Sequence, residues 1–372
     1  GVASTTTTVI LIYDNTPPVI VPTISGTLGS NGWYTSNVDM SWSVTDSESG
    51  IASKSGCDPQ TLSSETSGTT IICSAVNGAG LSNSNSATIK IDKTGPSAYL
   101  SVNSGTLGSN GWYTSDVKVG TTGSDPVSDS VTCTSDQIFS SEITGTAVTG
   151  SCTNGAGLTT SATPLTIKID KTGPSASLSV KSGTLGNNGW YTSIVVVSTT
   201  GSDIISSPVT CDPDQTKNAD TTGVTVSGSC KNDAGLITDA TPIILKIDTT
   251  APTGVHLVPS GIMGGSGWFT SDVTVNTVGN ELISTPFACT DTQHLTSDVN
   301  GLVVNGNCIN DAGLKADAAP LTLNIDKTPP ITTDNAPAGW QKAPFTVTLA
   351  CTDGGSGCDN TYYTLDGGSS DT

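Results

Sequence analysis

The segment Leu165-Thr-Ile-Lys-Ile-Asp-Lys-Thr-Gly-Pro174 decides the fold of this chain. Its apolar side chains alternate with polar ones, which is the two-residue period of a half-buried β-strand. The strand ends at an aspartate that precedes a linker. An aspartate of this kind recurs without exception at one fixed interval, at Asp14, Asp92, Asp170, Asp248 and Asp326. A constant period of about 78 residues indicates a repeat architecture.

Two further landmarks recur with the aspartate. A Gly-Trp-(Tyr/Phe)-Thr-Ser block contains Trp33, Trp112, Trp190 and Trp268, and an Asn-(Gly/Asp)-Ala-Gly-Leu loop begins at Asn77, Asn154, Asn232 and Asn310. The landmarks predict a terminal segment, four complete repeats and a divergent, incomplete unit. Their bounds are 1–14, 15–92, 93–170, 171–248, 249–326 and 327–372.

The period within a repeat is two throughout. Val117 and Val119 alternate with polar residues, and turn sequences such as Asn110-Gly111, which favours type I′ geometry, separate such runs. No window shows a helical stripe longer than one turn. About six or seven short strands in each repeat predict an antiparallel β-sandwich. The predicted fold class is therefore all-β, as a linear array of Ig-like sandwich repeats.

The ten cysteines predict one disulfide in each repeat. They fall into the pairs Cys57/Cys73, Cys133/Cys152, Cys211/Cys230, Cys289/Cys308 and Cys351/Cys358. None has the two-residue spacing of a zinc site, and the chain has only two histidines. Closing a loop of this size stabilises a small, polar domain by about 3 kcal/mol. Disulfides also indicate an oxidising, extracellular compartment.

The charge balance excludes several classes of partner. The chain has no arginine, 13 lysines and 32 acidic residues, for a net charge of −19. Nucleic-acid binding requires clusters of basic residues, and an anionic membrane surface would repel this chain. The longest apolar run, residues 9–13, is far shorter than a membrane-spanning helix. We expect a secreted or cell-surface protein with no direct membrane insertion.

The repeats resemble the bacterial Ig-like (Big-type) modules of surface proteins. The resemblance rests on Gly-Trp-Tyr-Thr-Ser-Asp-Val (111–117), the Asn-Gly-Ala-Gly loop and the Ile-Asp-Lys-Thr-Gly-Pro linker. The last unit, from Cys351-Thr-Asp-Gly-Gly-Ser-Gly-Cys358 to Gly368, is similar to short Ig-like modules appended to chitobiase-type enzymes and surface proteins. The resemblance implies Ig-like sandwiches that serve mostly as spacers and sometimes as ligand-binding modules.

No arrangement of residues predicts catalysis. His256 and His294 both lie in the fourth repeat without a matched nucleophile, so we expect surface histidines. The four glutamates, Glu48, Glu65, Glu142 and Glu281, occupy no shared repeat position and are expected to be exposed, solubilising acids. Lys90, Lys168 and Lys246 recur on the outward side of a strand, but without a repeated glutamate they predict no isopeptide cross-link.

Calcium at the repeat junctions is the main metal hypothesis. Asp92, Asp170, Asp248 and Asp326 are the candidate ligands, with help from Asp46, Glu48, Asp233 and Asp311. The sequence indicates only one recurring carboxylate per junction, however, where a calcium site usually gathers several. We therefore expect these aspartates to cap turns through Asx-type hydrogen bonds, and we predict no cofactor. The recurring tryptophans are expected to fill the end of each sandwich as structural residues rather than to form a sugar-binding platform.

The two ends of the chain suggest how it assembles. Because Asp14 is in register with Asp92, residues 5–14 are predicted to be the final strand of a repeat. Its apolar residues Val9, Ile10, Leu11, Ile12 and Tyr13 face both sides. We expect this donor strand to pair with the 327–372 unit of another copy, through Phe345, Val347, Leu349, Tyr362 and Tyr363. The alternative is that the sequence is a window of a longer repeat protein, which completes both ends itself.

The primary functional hypothesis is a structural, non-catalytic subunit of an extracellular filament or surface stalk that assembles head-to-tail with copies of itself. The alternative hypothesis is an adhesin or an array of binding modules that recognises a glycan or a host protein. Near-identical loops at 104–113 and 182–191 favour the spacer, because binding loops usually diverge between repeats.

Overall fold

The structure is a computed structural model that describes residues 1–364. It is all-β apart from two 3₁₀ turns at Asn187–Gly189 and Gly265–Gly267. The chain forms two compact units. The first contains residues 1–174, 202–209 and 231–237, and the second contains the rest of the described chain. The third repeat contributes residues to both units.

The first repeat lies in the first unit and is a sandwich of two sheets. Its strands are β1 (Val19–Ser25), β2 (Trp33–Tyr34), β3 (Val38–Thr45), β4 (Ile51–Ser55), β5 (Gln60–Leu62), β6 (Thr66–Asn77) and β7 (Ser82–Ile91). They form the sheets β1-β3-β5 and β2-β7-β6-β4. Val38 and Met40 of one sheet pack against Cys73, Ile89 and Ile91 of the other.

The second repeat has the same plan in shorter strands. They are β8 (Tyr99–Ser104), β9 (Trp112–Tyr113), β10 (Val117–Thr122), β11 (Thr132–Cys133), β12 (Gln137–Phe139), β13 (Ile143–Val148), β14 (Ser151–Thr153), β15 (Thr159–Ser161) and β16 (Leu165–Ile169). The sheets are β8-β10-β12, β9-β16-β13 and β11-β14-β15. The long final strand of the first repeat is split here because Pro164, which has no N–H, replaces Ser86.

The third and fourth repeats have the same arrangement of strands. The strands of the third repeat are β17 (Ser177–Ser182), β18 (Trp190–Tyr191), β19 (Val195–Thr200), β20 (Thr210–Cys211), β21 (Gln215–Lys217), β22 (Thr221–Val226), β23 (Ser229–Lys231), β24 (Ile237–Asp239) and β25 (Ile243–Ile247). Those of the fourth are β26 (Thr253–Ser260), β27 (Trp268–Phe269), β28 (Val273–Asn280), β29 (Ala288–Cys289), β30 (Gln293–Leu295), β31 (Val299–Val304), β32 (Asn307–Ile309), β33 (Lys315–Asp317) and β34 (Leu321–Ile325). Pro242 and Pro320 stand where Pro164 does, before the last strand.

The core of a repeat uses fixed positions relative to its landmarks. In the second repeat, Val117 and Val119 follow the tryptophan block, and Ile167 and Ile169 immediately precede the junction aspartate on alternate positions. All four are at most 1% exposed and pack in one cluster. The equivalent residues of the third and fourth repeats form a corresponding cluster in each repeat. These residues are Val195, Val197, Leu245 and Ile247 in the third repeat, and Val273, Val275, Leu323 and Ile325 in the fourth.

The predicted fold class, an all-β array of sandwich repeats with one disulfide each, is confirmed with one refinement. The short tryptophan strand runs parallel to the last strand of its repeat, so Trp112 pairs with Lys168 in an otherwise antiparallel repeat. This parallel pairing recurs in all four repeats, through Trp33, Trp190 and Trp268. It fixes the last strand between two neighbours and covers the edge of the sheet.

All ten cysteines lie in disulfides, in the pairs Cys57–Cys73, Cys133–Cys152, Cys211–Cys230, Cys289–Cys308 and Cys351–Cys358. In the second repeat the bond joins paired residues of adjacent antiparallel strands, with the Cα atoms 4.0 Å apart. Cys152 is fully buried, and the bond ties β11 to β14 within the three-stranded sheet.

The 327–372 unit is only partly built in the described residues. β35 (Ile331–Asp334) pairs with β36 (Leu349–Thr352), whereas the expected strand through Phe345 and Val347 does not form there. Tyr363 makes only an isolated bridge. The predicted strand over residues 5–14 is likewise not formed in the single chain, where residues 9–13 are exposed. A β-strand requires a pairing partner, and neither segment has one here.

Candidate functional site: the repeat junctions

Each recurring aspartate lies where one repeat meets the next. Asp92 is fully buried, and its Oδ1 accepts the backbone N–H of Thr94 at 3.1 Å. Its Oδ2 accepts the Ser128 hydroxyl and, at 2.9 Å, the side-chain amide of Asn154. Thr94 belongs to the linker, and Ser128 and Asn154 belong to the following repeat. The expected Asx turn is therefore present, and the same carboxylate also joins two repeats.

A second carboxylate completes the junction. The Asn154 amide nitrogen lies 3.0 Å from Asp125 Oδ2 and 3.1 Å from the Thr94 carbonyl oxygen. The Asn154 Oδ1 accepts the Leu158 N–H at 2.9 Å, which fixes the orientation of the amide. The expectation of one carboxylate per junction is therefore wrong. Two carboxylates converge, and an amide donor fills the space between them.

The cluster recurs with nearly constant geometry. It contains Asp14, Asp46, Ser49 and Asn77 in the first repeat, Asp170, Asp203, Ser206 and Asn232 before the third, and Asp248, Glu281, Ser284 and Asn310 before the fourth. The second carboxylate and the serine each stand at one constant interval after the tryptophan of their repeat. At the last junction, Asp326 accepts the Ser356 N–H at 2.6 Å.

Hydrogen bonding keeps the second carboxylates ionised. Burial raises the pKa of Asp125. The Asn154 amide and the backbone N–H groups of Val127 and Ser128 outweigh burial and hold that pKa below its usual range. The same balance lowers the pKa of Asp203. In the first repeat the pKa of Asp46 is lowered as well, chiefly by its hydrogen bond with the Ser49 N–H, whereas the pKa of nearby Glu48 is raised, chiefly by its hydrogen bond with Asp14.

The tryptophan block of one repeat binds the asparagine loop of the next. The Trp112 Nε1–H donates to Asp233 Oδ2 at 2.9 Å, and the Asn110 amide donates to Asp233 Oδ1 at 2.7 Å. The Ser109 N–H donates to the Ala234 carbonyl at 2.9 Å. Trp190 and Asp311 repeat the first contact at 2.9 Å. Between the first two repeats, Gly155 replaces the aspartate and accepts the Asn31 amide through its carbonyl at 3.0 Å.

Two glycines allow this close approach. A Cβ atom on Gly108 would lie 2.4 Å from the Ala234 carbonyl oxygen. Gly235 has a φ of +93°, and a Cβ there would lie 2.6 Å from the Ser109 hydroxyl oxygen. The equivalent pairs Gly29/Gly157 and Gly186/Gly313 are equally tight. Gly108, which lies four residues before Trp112, and Gly235 of the asparagine loop are therefore both required by the contact between repeats.

A further carboxylate caps each linker. Glu142 accepts the Lys171 N–H at 3.0 Å and the Thr172 hydroxyl at 2.6 Å. Glu65 does the same for Lys93 and Thr94, and Asp220 and Asp298 take this place in the next two repeats. The expectation that the glutamates share no position is therefore wrong. Glu65 and Glu142 are equivalent once the one-residue offset between the repeats is allowed for.

Three of the four block tryptophans are buried, and the fourth, Trp268, is partly buried. Trp33, Trp112 and Trp190 are at most 8% exposed, so their faces offer no platform for a sugar. Lys90, Lys168 and Lys246, which were expected to point outward, lie over these rings at 5.5, 4.8 and 5.1 Å from the ring centroids. This cation–π contact was not predicted, because it depends on the parallel pairing.

The remaining candidates do not form a chemical centre in residues 1–364. His256 and His294 are exposed on strands, where His256 Nδ1 lies 2.7 Å from the Gly254 carbonyl. Within the described residues, no group of three or more His, Cys, Asp or Glu side chains is arranged to hold a metal ion. None of the described helices is long and apolar enough to cross a membrane.

Comparisons with known proteins give only distant structural neighbours. No protein-family model and no curated protein sequence matches the chain. The human desmocollin-1 ectodomain is 10% identical over 83% of this chain and 80% of its own, with a TM-score of 0.20. A tetra-tandem repeat from the extending region of a large adhesion protein is 12% identical over 84% of this chain and 100% of its own, with a TM-score of 0.29. Fibronectin(III)-like modules of Clostridium thermocellum CbhA are 11% identical over 40% of this chain and 92% of their own, with a TM-score of 0.22. At these TM-scores the likeness says nothing of this chain's function, and its fold rests on its own strands and disulfides.

Proposed function

We propose that this chain is a structural, non-catalytic subunit of an extracellular filament or cell-surface stalk. The observation that carries the proposal is the hydrogen-bonded cluster of Asp92, Ser128, Asn154 and Asp125, which recurs between consecutive repeats. Buried networks in which every polar group is paired hold their surroundings in one arrangement. Junctions of this kind resist bending, which suits a protein whose purpose is reach.

The covalent chemistry supports the extracellular assignment. All ten cysteines are oxidised in disulfides, which persist in secreted and surface proteins and are rare in reducing compartments. The net charge of −19 keeps such a polar chain soluble outside the cell.

The subunits assemble head-to-tail by strand donation. In each intact repeat the last strand is apolar on its inner side, and residues 9–13 have this character but are 75–86% exposed. The 327–372 unit presents an open groove of about 510 Å³ lined by Asp334, Ala336, Val347, Leu349, Tyr363 and Thr364. An extended segment of another copy would gain backbone pairing at the sheet edge and apolar contact in this groove.

Electron microscopy and sedimentation of the full chain test the proposal. We expect concentration-dependent linear assemblies for the intact chain and monomers for a variant that lacks residues 1–14. A variant that lacks only residues 1–4 is the matched control and should still assemble. Intact chain that stays monomeric at high concentration would contradict the filament. Assemblies that form equally well without residues 1–14 would contradict strand donation.

A further inference from the structure

The 327–372 unit keeps the spacing of an intact repeat although its sequence differs. The intervals from Trp340 to Asp353 and to Ser356 equal those from Trp112 to Asp125 and to Ser128. Gly339, which precedes Trp340, has a φ of +87°, close to the +76° of Gly111. Trp340 is therefore the counterpart of the block tryptophans.

Core positions of this unit are uncovered. Phe345 and Val347 stand at the same intervals after Trp340 as Val117 and Val119 do after Trp112. Val117 and Val119 are fully buried, whereas Phe345 and Val347 are each 47% exposed. In the described part of the unit these two core positions are therefore open to solvent.

Residues 9–13 carry counterparts of two further core positions. Leu11 and Tyr13 occupy the places before Asp14 that Ile167 and Ile169 occupy before Asp170. In the second repeat those isoleucines pack in one cluster with Val117 and Val119. Leu11 and Tyr13 are 86% and 75% exposed. The two exposed surfaces therefore carry residues at positions that pack together in the second repeat, where Val148 of a further strand completes the cluster.

Ile12, which lies between Leu11 and Tyr13, distinguishes a contact between two copies from the junctions within one chain. In the first three repeats the position two residues before the aspartate is a lysine that pairs with the block tryptophan and lies over its ring. In residues 9–13 this position is Ile12. Trp340, the counterpart of the block tryptophans, is fully exposed. An isoleucine against a tryptophan buries apolar surface on both sides, with no charged group to keep hydrated.

The asparagine loop of a second copy that supplies the strand would contribute little to the contact between the two copies. Within the chain, the asparagine loop of the third repeat approaches Gly108 through Ala234, whose carbonyl oxygen accepts the Ser109 N–H. The equivalent positions here are Ala336, whose Cβ fills the approach, and Pro337, which has no N–H to donate. The joint between copies therefore depends on the strand.

We propose that two copies of this chain join in one register, in which Ile12 of one copy pairs in parallel with Trp340 of the next while Leu11 and Tyr13 cover Phe345 and Val347. This inference rests on the proposed head-to-tail assembly and adds the register and the contact residues. The partner is a second copy of the chain, because the repeats themselves supply the template for how these positions pack.

Cysteine trapping between two full-length variants tests the register. Ile12→Cys and Trp340→Cys chains are mixed in equal amounts and oxidised mildly, and the cross-linked dimer is quantified without reducing agent. Both positions are exposed in the single chain, so neither change is expected to unfold it. We expect at least about tenfold more dimer than from the off-register pair Ile10→Cys and Trp340→Cys, because Ile10 lies two residues further along the strand. In wild-type chain, the tryptophan emission should also shift to shorter wavelength on assembly as Trp340 becomes buried.

The outcomes separate the two proposals. Filaments that persist while the Ile12 and Ile10 pairs cross-link equally, or not at all, would overturn the register and leave the structural role intact. Wild-type chain that never assembles would overturn both. A chain that carries both Ile12→Cys and Trp340→Cys and cross-links only to itself in dilute solution would show that the two segments meet within one chain, which contradicts the second copy as partner.

Discussion

The side-chain amide of Asn154 lies 2.9 Å from Asp92 Oδ2, and this short bond joins the last strand of one repeat to the loop of the next. The same nitrogen lies 3.0 Å from Asp125 Oδ2. One neutral donor thus separates two carboxylates that would otherwise face each other. Asn154 is therefore the donor that both carboxylates of the junction share.

Replacing Asn154 by Leu should destabilise the junction strongly. The substitution leaves two buried carboxylates without their shared donor and next to each other, and it removes the acceptor of the Leu158 N–H. We expect a loss of about 2–4 kcal/mol for the second repeat. Differential scanning calorimetry of the full chain would show one transition moved to lower temperature. Asn305→Leu, at an exposed position of the fourth repeat, is the matched control. Equal effects of the two changes would contradict the role of Asn154.

Acid should open the junctions. Hydrogen bonds hold the pKa values of Asp125 and Asp203 below their usual range. A carboxyl group whose folded-state pKa is lowered contributes stability above its ordinary pKa, and that contribution is lost as the pH falls through the folded value. We therefore expect stability to be flat from about pH 5 to 8 and to fall below about pH 4. Unfolding scans against pH would measure this.

The control for the acid effect is Asp125→Asn. This variant should be less stable at neutral pH and should lose less of its remaining stability on acidification, because one of the titrating groups is gone. An unchanged acid slope in the variant would show that Asp125 does not contribute to the pH dependence.

The repeat plan could be predicted because its determinants are visible in the sequence itself. The two-residue period around Val117 and Ile167 depends on adjacent residues. The constant spacing of junction aspartates such as Asp92 and Asp170, and the one cysteine pair per repeat, show the same unit recurring along the chain. The strand predicted over residues 5–14 is not formed in the single chain, because a strand forms only where a partner edge exists.

The junction could be predicted only in part. The Asx turn of Asp92 was expected since its partner Thr94 is two residues away, whereas Ser128 and Asn154 are 36 and 62 residues away. The constant intervals from each tryptophan to the second carboxylate and to the serine are visible in the sequence. Glu281, which replaces the aspartate in the fourth repeat, obscures the pattern because the residue type changes while the carboxylate is kept.

Removing one disulfide should affect mainly its own repeat. Cys133 and Cys152 close a loop with a sequence separation of 19 residues. Replacing both by Ala frees that loop in the unfolded chain, and we expect a loss of about 2–5 kcal/mol in the second repeat. Calorimetry of the full chain should show its transition alone moving strongly, while the neighbouring repeats respond through the junctions. A uniform shift of all transitions would contradict independent cores.

The glycine contact between repeats can be tested with a matched pair. Gly108→Ala would place a Cβ 2.4 Å from the Ala234 carbonyl oxygen, and the contact must open. Overpacking of this kind costs about 1–3 kcal/mol. The Ser109 amide, which donates to Ala234, should then exchange its hydrogen roughly 5–150 times faster. Gly264→Ala is the control, because its nearest neighbours among the described residues are Thr270 and Trp268 of its own repeat. Unchanged protection of Ser109 in Gly108→Ala would mean that the loop contact does not form.

Calcium should be dispensable for the wild-type chain and should become important after a single substitution. The Asn154 amide fills the space between Asp92, Asp125 and the Thr94 carbonyl, so a chelator is expected to leave the melting temperature unchanged. Asn154→Asp replaces the donor by a third carboxylate and creates an all-oxygen cluster of the kind that binds Ca²⁺. That variant should be destabilised in chelator by like-charge repulsion and regain stability when millimolar Ca²⁺ is added. Asn305→Asp, which adds the same charge at an exposed position, should not respond to Ca²⁺. Wild-type chain that loses stability in chelator would show that a cation, rather than the amide, holds the junction.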